Sequence, residues 1–352
     1  MKIERNYGLD LLKFLANIGI LFHHYQQVTS YSFNYYLDFY HGFFYWGYLV
    51  ELFFCISGFF SIRYSRKIKD GLGFESYILH KLWRFVPMLL ICESVYVIAL
   101  FFYHRMVPPT FWSDWGHLDK ASDLWKFLTG VLCMNFGGMV NPDNGFIDGV
   151  TWTLSVLVIC YVWLYLIEFI SNQIGINVCY LYGLMVLMGI AIQEYGINAP
   201  FFNIYTGRGY CAFFSGLCIS LYLNRAKIVI PLYQKMLLMC ILSIATVLST
   251  GQEYLLAIII YPLVIIVFTD DKIERFFRHF GGLFHFLGNV GFEMYIWHPI
   301  VIIIMLIISH LTGMDFEYQG MIKMVLFAVC CFVIGTFAYW FIERPLSRIY
   351  KK

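Results

Sequence analysis

Long apolar runs alternate along this chain with short charged segments. A helix that crosses a bilayer needs about 20 mostly apolar residues. Ten segments meet that pattern: 8–28, 43–63, 79–103, 150–171, 175–193, 205–223, 229–249, 253–269, 286–309 and 321–342. The two at 150–193 are tightly spaced, and the eighth is short. Residues 125–136 are apolar but too few to cross, which predicts a re-entrant or interfacial piece. The fold expected is all-α: a polytopic membrane bundle of about ten transmembrane helices. Residues 1–352 then form one transmembrane domain, with no separate soluble domain and with 104–149 as the longest outer segment.

Composition agrees with that pattern. The chain is 60% hydrophobic and 13% charged, against about 25% charged for soluble domains, too little polarity to cover a water-soluble globule of this size. A net charge of +2 offers no basic face for nucleic acid. The ten cysteines lie mostly inside apolar runs without a C-x-x-C pair. They read as free thiols, not disulfides or metal ligands. Lys2 and Arg5 precede an apolar stretch, but it carries Asp10 and Lys13 and no small-residue cleavage site follows. It reads as a retained first helix rather than a signal peptide.

Charge sets an orientation. With the N-terminus cytoplasmic, 17 of the 24 Lys and Arg fall on inner segments, with Lys13 just inside the membrane. The outer segments or their helix ends receive Arg105, Lys120, Lys126, Arg208, Lys235 and Lys323. This obeys the positive-inside rule and predicts both termini cytoplasmic. The outer segment 104–149 carries Asp114, Asp119, Asp123, Asp143 and Asp148 with Trp112, Trp115 and Trp125. It reads equally as the cover of an outward cleft or as a solvated loop with an aromatic belt.

Ionisable groups inside spans are costly and mark function. The first span holds Asp10, Lys13, His23 and His24. Lys13 and His24 are eleven residues apart, about 16 Å along a helix and on nearly the same face. The bland alternatives are an Asp10–Lys13 pair at i,i+3 and an interfacial histidine. Glu51 lies deep in an aromatic run and needs a Lys, Arg or His partner, whereas Ser57 and Gly58 read as packing residues. Lys81 and Arg84 open the third span at a spacing suited to phosphate, or are ordinary cytoplasmic charge. Further on come Trp152 and Ser155, then Glu293, Tyr295 and His298, and finally Phe341-Ile-Glu343-Arg344-Pro345.

In order along the chain these residues resemble the motifs of the bacterial membrane acyltransferase-3 family. Lys13, ten residues and His24 resemble its opening motif. Val50-Glu51-Leu-Phe-Phe-Cys-Ile-Ser57-Gly58 is similar to its second-helix motif, and Lys81-Leu-Trp-Arg84-Phe-Val-Pro87 to its Arg-x-x-Arg-Ile-x-Pro. Trp152-Thr-Leu-Ser155-Val and the stretch from Gly288 to His298 resemble two later ones. Departures are the lysines at 13 and 81 where arginine is usual, Leu157 where many members carry glutamate, and Gly291 in place of a serine. The resemblance implies a minimal, stand-alone O-acyltransferase of the bacterial inner (plasma) membrane. It would move an acyl group, commonly acetyl, from cytoplasmic acyl-CoA to a hydroxyl of a cell-envelope or exported glycan. On this reading His24 is the catalytic base and Glu51 orients it. Lys13, Lys81 and Arg84 face the donor, and Asp10, Trp152, Ser155, Tyr295 and His298 support the site or the substrate path. The donor would be acyl-CoA, probed first as acetyl-CoA, with no metal. The partners would be a glycan or lipid-linked sugar acceptor and membrane lipid, with no nucleic acid. Direct transfer and an acyl-histidine intermediate both stay open. The competing reading is a transporter or flippase for a glycan or small solute, since Glu51, His24, Glu293 and His298 inside spans would also suit one.

Overall fold

The structure, a computed structural model, describes residues 5–28, 46–109, 123–134, 149–225, 230–248, 254–313 and 321–350. Thirteen α-helices account for most of them: α1 Tyr7–Val28, α2 Leu49–Lys69, α3 Phe74–Met106, α4 Asp123–Val131, α5 Trp152–Ile174, α6 Val178–Tyr195, α7 Ile204–Arg225, α8 Leu232–Leu248, α9 Tyr261–Phe268, α10 Asp271–Arg278, α11 Gly281–Thr312, α12 Met321–Ala338 and α13 Arg344–Tyr350. A π-helical turn, Leu256–Ile260, leads into α9, and another, Tyr339–Glu343, joins α12 to α13. No β-strand occurs among the described residues. Left-handed glycines stop three helices: Gly175 after α5, Gly196 after α6 and Gly313 after α11, positions where a side chain would be strained.

The described residues of the ten expected segments are mainly helical, the eighth being divided between the π-helical turn and α9. Six helical stretches are long and apolar enough to cross a membrane by themselves: Trp46–Lys69, Phe74–Met106, Trp152–Ile174, Val178–Tyr195, Gly281–Thr312 and Ile322–Arg348. Neither α1 nor α7 is among them, and their positions explain why. Both are packed inside the bundle, α1 against α11 and α7 between α2 and α6, so polar and small residues on them meet protein instead of lipid. Along α7, Tyr210, Cys211, Ala212, Phe213, Phe214 and Leu217 are all fully buried. The short apolar piece after residue 125 is α4, nine residues long and packed on α3. A Cβ on its Gly130 would collide with the Glu93 carboxylate. Most of the outer segment 104–149, including Lys120, Trp112 and Trp115, lies outside the described residues.

One assignment changes. Lys235 was expected on the outer side, but its Nζ lies 2.7 Å from Asp270 Oδ2. It therefore belongs to the end of the bundle that carries Lys272 and Arg275. The reason is local: α8 starts at Leu232, so Lys235 sits on its first turn, beside the end of the antiparallel segment that closes with α9. Asp270 also caps α10 by accepting from the Lys272 N–H at 3.0 Å. Burial tends to raise its carboxyl, but the hydrogen bonds from Lys235 and Lys272 outweigh it and hold the group below its usual range.

Two crossings are unusually close. At the first, Gly58 of α2 faces the backbone of Phe213, and Gly216 of α7 faces the backbone of Cys55, with no room for a Cβ at either glycine. The expectation that Gly58 serves packing is met there. The second is the contact of α11 with α1. A Cβ on Gly288 would lie 2.8 Å from Asp10 Cβ, and one on Gly291 would lie 2.9 Å from Asn17 Nδ2.

Candidate active site

The close approach of α1 and α11 brings two histidines face to face. The His24 and His298 rings are stacked, with centroids 4.9 Å apart and planes 19° from parallel. His298 is fully buried and His24 half-buried. His23 is tilted away from its neighbour by 50°, as adjacent helical positions require. Pro299 follows His298 inside α11. Proline has no N–H, so the Tyr295 carbonyl, four residues earlier, loses its helical donor. His298 Nδ1 takes that carbonyl at 2.8 Å. A carbonyl can only accept, so Nδ1 carries the hydrogen and a neutral His298 keeps its lone pair on Nε2.

Tyr295 ties this pair to the start of α5. Its hydroxyl donates to the Val150 carbonyl at 2.9 Å and lies 3.0 Å from Thr153 Oγ1. Tyr295 and His298 are both buried and face the interior, with ring centroids 6.0 Å apart. Thr153 is next to Trp152, whose ring lies 5.0 Å from that of Tyr205 and 6.1 Å from that of Phe54.

The cation that Glu51 requires is Arg208 of α7. Arg208 Nε donates to Oε1 of Glu51, and its Nη2 donates to Oε2 at 3.0 Å and to the Gly47 carbonyl at 2.9 Å. Both carboxylate oxygens are engaged by one guanidinium, a bidentate geometry that fixes direction as well as charge. The guanidinium carbon lies 5.1 Å from the Trp152 ring centroid and 5.7 Å from that of Tyr48. Sequence reasoning assigned Arg208 to the outer charge and missed this role. Its position one turn inside an apolar helix was the available signal.

Toward the other end lies a second group. Lys81 is buried, with its ammonium 3.9 Å from the Tyr64 ring centroid and 4.0 Å from that of Tyr161. Arg63 and Lys67 also lie near the Tyr64 ring, at 5.2 and 5.5 Å from its centroid, while Arg84 is exposed. None of these four cations forms an ion pair among the described residues. Lys81 and Arg84 thus divide: one is held between aromatic rings, the other is presented at the surface. Lys13 behaves differently again. Its Nζ is 2.8 Å from Asp10 Oδ1, while Arg5 binds the other Asp10 oxygen, so the i,i+3 pair is formed.

Ser155 is fully buried, and its hydroxyl turns back to the Thr151 carbonyl at 3.5 Å. Leu157, where the resembled family often has a carboxylate, is a buried apolar residue of the core. Three further acids are fully buried: Glu93, Glu168 and Glu293. Glu168 accepts from the Tyr182 hydroxyl and lies 3.6 Å from Lys69 Nζ. Glu93 and Glu168 were not singled out from the sequence, although each interrupts an apolar run. The ten cysteines are free. No group of three or more His, Cys, Asp or Glu among the described residues could hold a metal ion.

The bundle thus holds a stacked imidazole pair and, toward one end, four cations that form no ion pair among the described residues. Over residues 6–344 the chain matches the family model described as an acyltransferase domain, and it belongs to that acyltransferase-3 family. No curated protein and no solved structure matches it.

Proposed function

We propose that this protein is a multi-pass membrane O-acyltransferase, with both termini cytoplasmic in a bacterial inner membrane. It takes an acyl group, acetyl in the simplest case, from cytoplasmic acyl-CoA and passes it to a hydroxyl of a cell-surface or exported glycan. The observation that carries this reading is the separation of two chemistries along one bundle. Phosphate-compatible cations, Arg63, Lys67 and Arg84 with Lys81 behind them, gather at one end, and the stacked His24–His298 pair lies deeper. Phe85 and Phe292 have ring centroids 6.2 Å apart, and Cys92 Sγ donates to the Ile296 carbonyl at 3.4 Å. α3 and α11 therefore run parallel, and His298 lies six residues beyond the level of Phe85, about 9 Å farther in.

In this mechanism His24 is the base. Its neutral imidazole takes the acceptor hydroxyl proton as that oxygen attacks the thioester carbonyl. The C–S bond then breaks, and the same proton passes to the departing thiolate. Such a proton transfer contributes about 10²–10⁴-fold. Glu51 fixes the outer end of α2 through Arg208. Asp10 neutralises Lys13 and Arg5, and His298 positions His24.

The test is transfer of label from radioactive acetyl-CoA to extracted envelope glycan by the purified protein. His24→Ala should reduce transfer by about 10²-fold or more, with unchanged expression and thermal stability, and His23→Ala should keep a substantial fraction. Full activity in His24→Ala overturns the mechanism, and equal loss in both variants assigns the pair to packing. Movement of unmodified glycan without label would instead favour transport.

A further inference from the structure

α6 and α7 touch closely at one level and leave space at another. A Cβ on Gly189 would lie 2.6 Å from the Cys211 nitrogen and 2.7 Å from the Gly207 carbonyl oxygen, whereas one on Gly183, six residues earlier on α6, would meet nothing within 4 Å. Gly183 borders a groove of about 590 Å³. Gly183, Leu184 and Leu187 of α6 line one side, Ile258 of the π-helical turn and Pro262 of α9 the other. Ile219 of α7 lies between them, since α7 packs against all three elements. Leu184 and Leu187 are exposed, so the groove opens sideways from the bundle. Its lower end, at Cys179 and Tyr180 on the first turn of α6, belongs to the charged inner end. Tyr182, on the same turn, donates to Glu168, which lies beside Lys69 at the end of α2.

We propose that this groove holds one acyl chain of a phospholipid from the cytoplasmic leaflet. Water, a helix of a second copy and a hydrocarbon chain compete for such a place, and polarity and size separate them. Buried water makes two to four hydrogen bonds. The groove offers it only the Ser215 and Tyr180 hydroxyls and the weakly bonding thiols of Cys179 and Cys218. A helix is too wide. From Cys179 to Leu187 the groove follows α6 for about 12 Å, so its 590 Å³ average about 50 Å² in cross-section. A helix with its side chains, 10–12 Å across, needs about 80–110 Å². A single hydrocarbon chain is narrower than either limit and bends to the groove. Its methylenes supply the van der Waals contacts that an unfilled space would forfeit. Tyr180 is 74% exposed at the inner end, and tyrosine sits at headgroup level in a bilayer. The chain therefore enters beside Tyr180 and runs toward Leu187 and Pro262. The proposal rests on the membrane placement given above and is independent of acyl transfer.

The experiment places the full chain in phosphatidylcholine nanodiscs with a trace of phosphatidylcholine that carries a photoreactive diazirine midway along one chain. Cross-links are mapped by mass spectrometry. Label on Leu187, Ile219 and Ile258 should exceed that on Val329 and Val333, which are exposed on α12. The expected excess is about threefold or more, the scale of a handful of extra van der Waals contacts. Gly183→Phe fills the groove from a position with room for it. It should abolish the excess while α12 is labelled as before. Gly183→Ala gains the same helix propensity with little added volume and should keep the excess. Cys218→Phe fills the groove from α7 and decides the matter if Gly183→Phe melts early. Equal label on groove and α12 in the wild type overturns the proposal, as does an excess that survives both phenylalanines. Cross-links between two chains through Tyr180 or Leu184, with no lipid label in the groove, overturn it in favour of a second copy. A chain that does not enter the nanodiscs at all sinks the membrane placement itself, which separates the two failures.

Discussion

At His298 the order of two residues decides which nitrogen carries the proton. Because Pro299 leaves the Tyr295 carbonyl without its helical donor, the imidazole fills the gap through Nδ1, and the ring is stacked on His24 with planes 19° from parallel. Stacked rings cannot pass a proton between them in the plane where their lone pairs lie. In the proposed mechanism the work of His298 is to hold the His24 ring at a fixed angle, as a positioning residue. This gives a specific expectation. His298→Phe keeps a flat ring against His24 and should retain measurable turnover. His298→Ala opens a void there and should lower kcat by about 10²-fold, the cost of roughly an ångström of misplacement, with donor KM unchanged. Thermal melting of both variants separates this from unfolding. Equal turnover in the wild type and both variants would remove the stack from the mechanism. The same attention to single residues separates the cations. Lys81 and Arg84 share a helix and a spacing, yet the rings of Tyr64 and Tyr161 enclose the first while the second meets the surface.

Between helices, the decisive contact is that of α1 with α11, because it sets the separation of the two imidazoles. Gly291 stands where the resembled family carries serine, and Asn17 occupies the space a side chain there would need, with Nδ2 2.9 Å from the position of a Cβ. Gly291→Val should push the helices apart at a cost of about 1–3 kcal/mol, lowering the melting temperature and transfer together. Asn17→Ala removes the obstructing amide, so the double variant should regain part of both losses, which a double-mutant cycle measures. Simple additivity of the two changes would mean that the glycine is not required by this contact. How far such contacts were legible beforehand depends on their range. The helices themselves were readable, because apolar runs of bilayer length are local signals. Which helices touch was not. Glu51 needed a cation, and nothing local said that it would come from Arg208, some 157 residues away. Lys13 and Asp10, three residues apart, could be paired from spacing alone.

For the molecule as a whole, the strongest consequence lies in the direction of the chemistry. Lys235 joins Asp270 and Lys272 at the end of the bundle assigned to the cytoplasm, which strengthens the charge bias that orients it. Arg63, Lys67 and Arg84 belong to the same end by the same rule. Tyr48, Trp152 and Arg208 lie at or near the starts of helices expected to run inward from the outer side. The imidazole pair lies between, with Lys13 and His24 about 16 Å apart along α1. On the proposed reading, a donor whose phosphates stay at the inner rim extends a thin arm inward to reach His24, while the acceptor approaches from the opposite end. Transfer should then be sided. In proteoliposomes with the chain in one orientation, acetyl-CoA should support acylation only from the side of the α10 loop, and the glycan should be modified only on the other. Orientation is checked by labelling a cysteine placed at Lys272 with a membrane-impermeant reagent. Acylation with donor and acceptor confined to the same compartment would show that the two sites share one face, and the transmembrane route would fall.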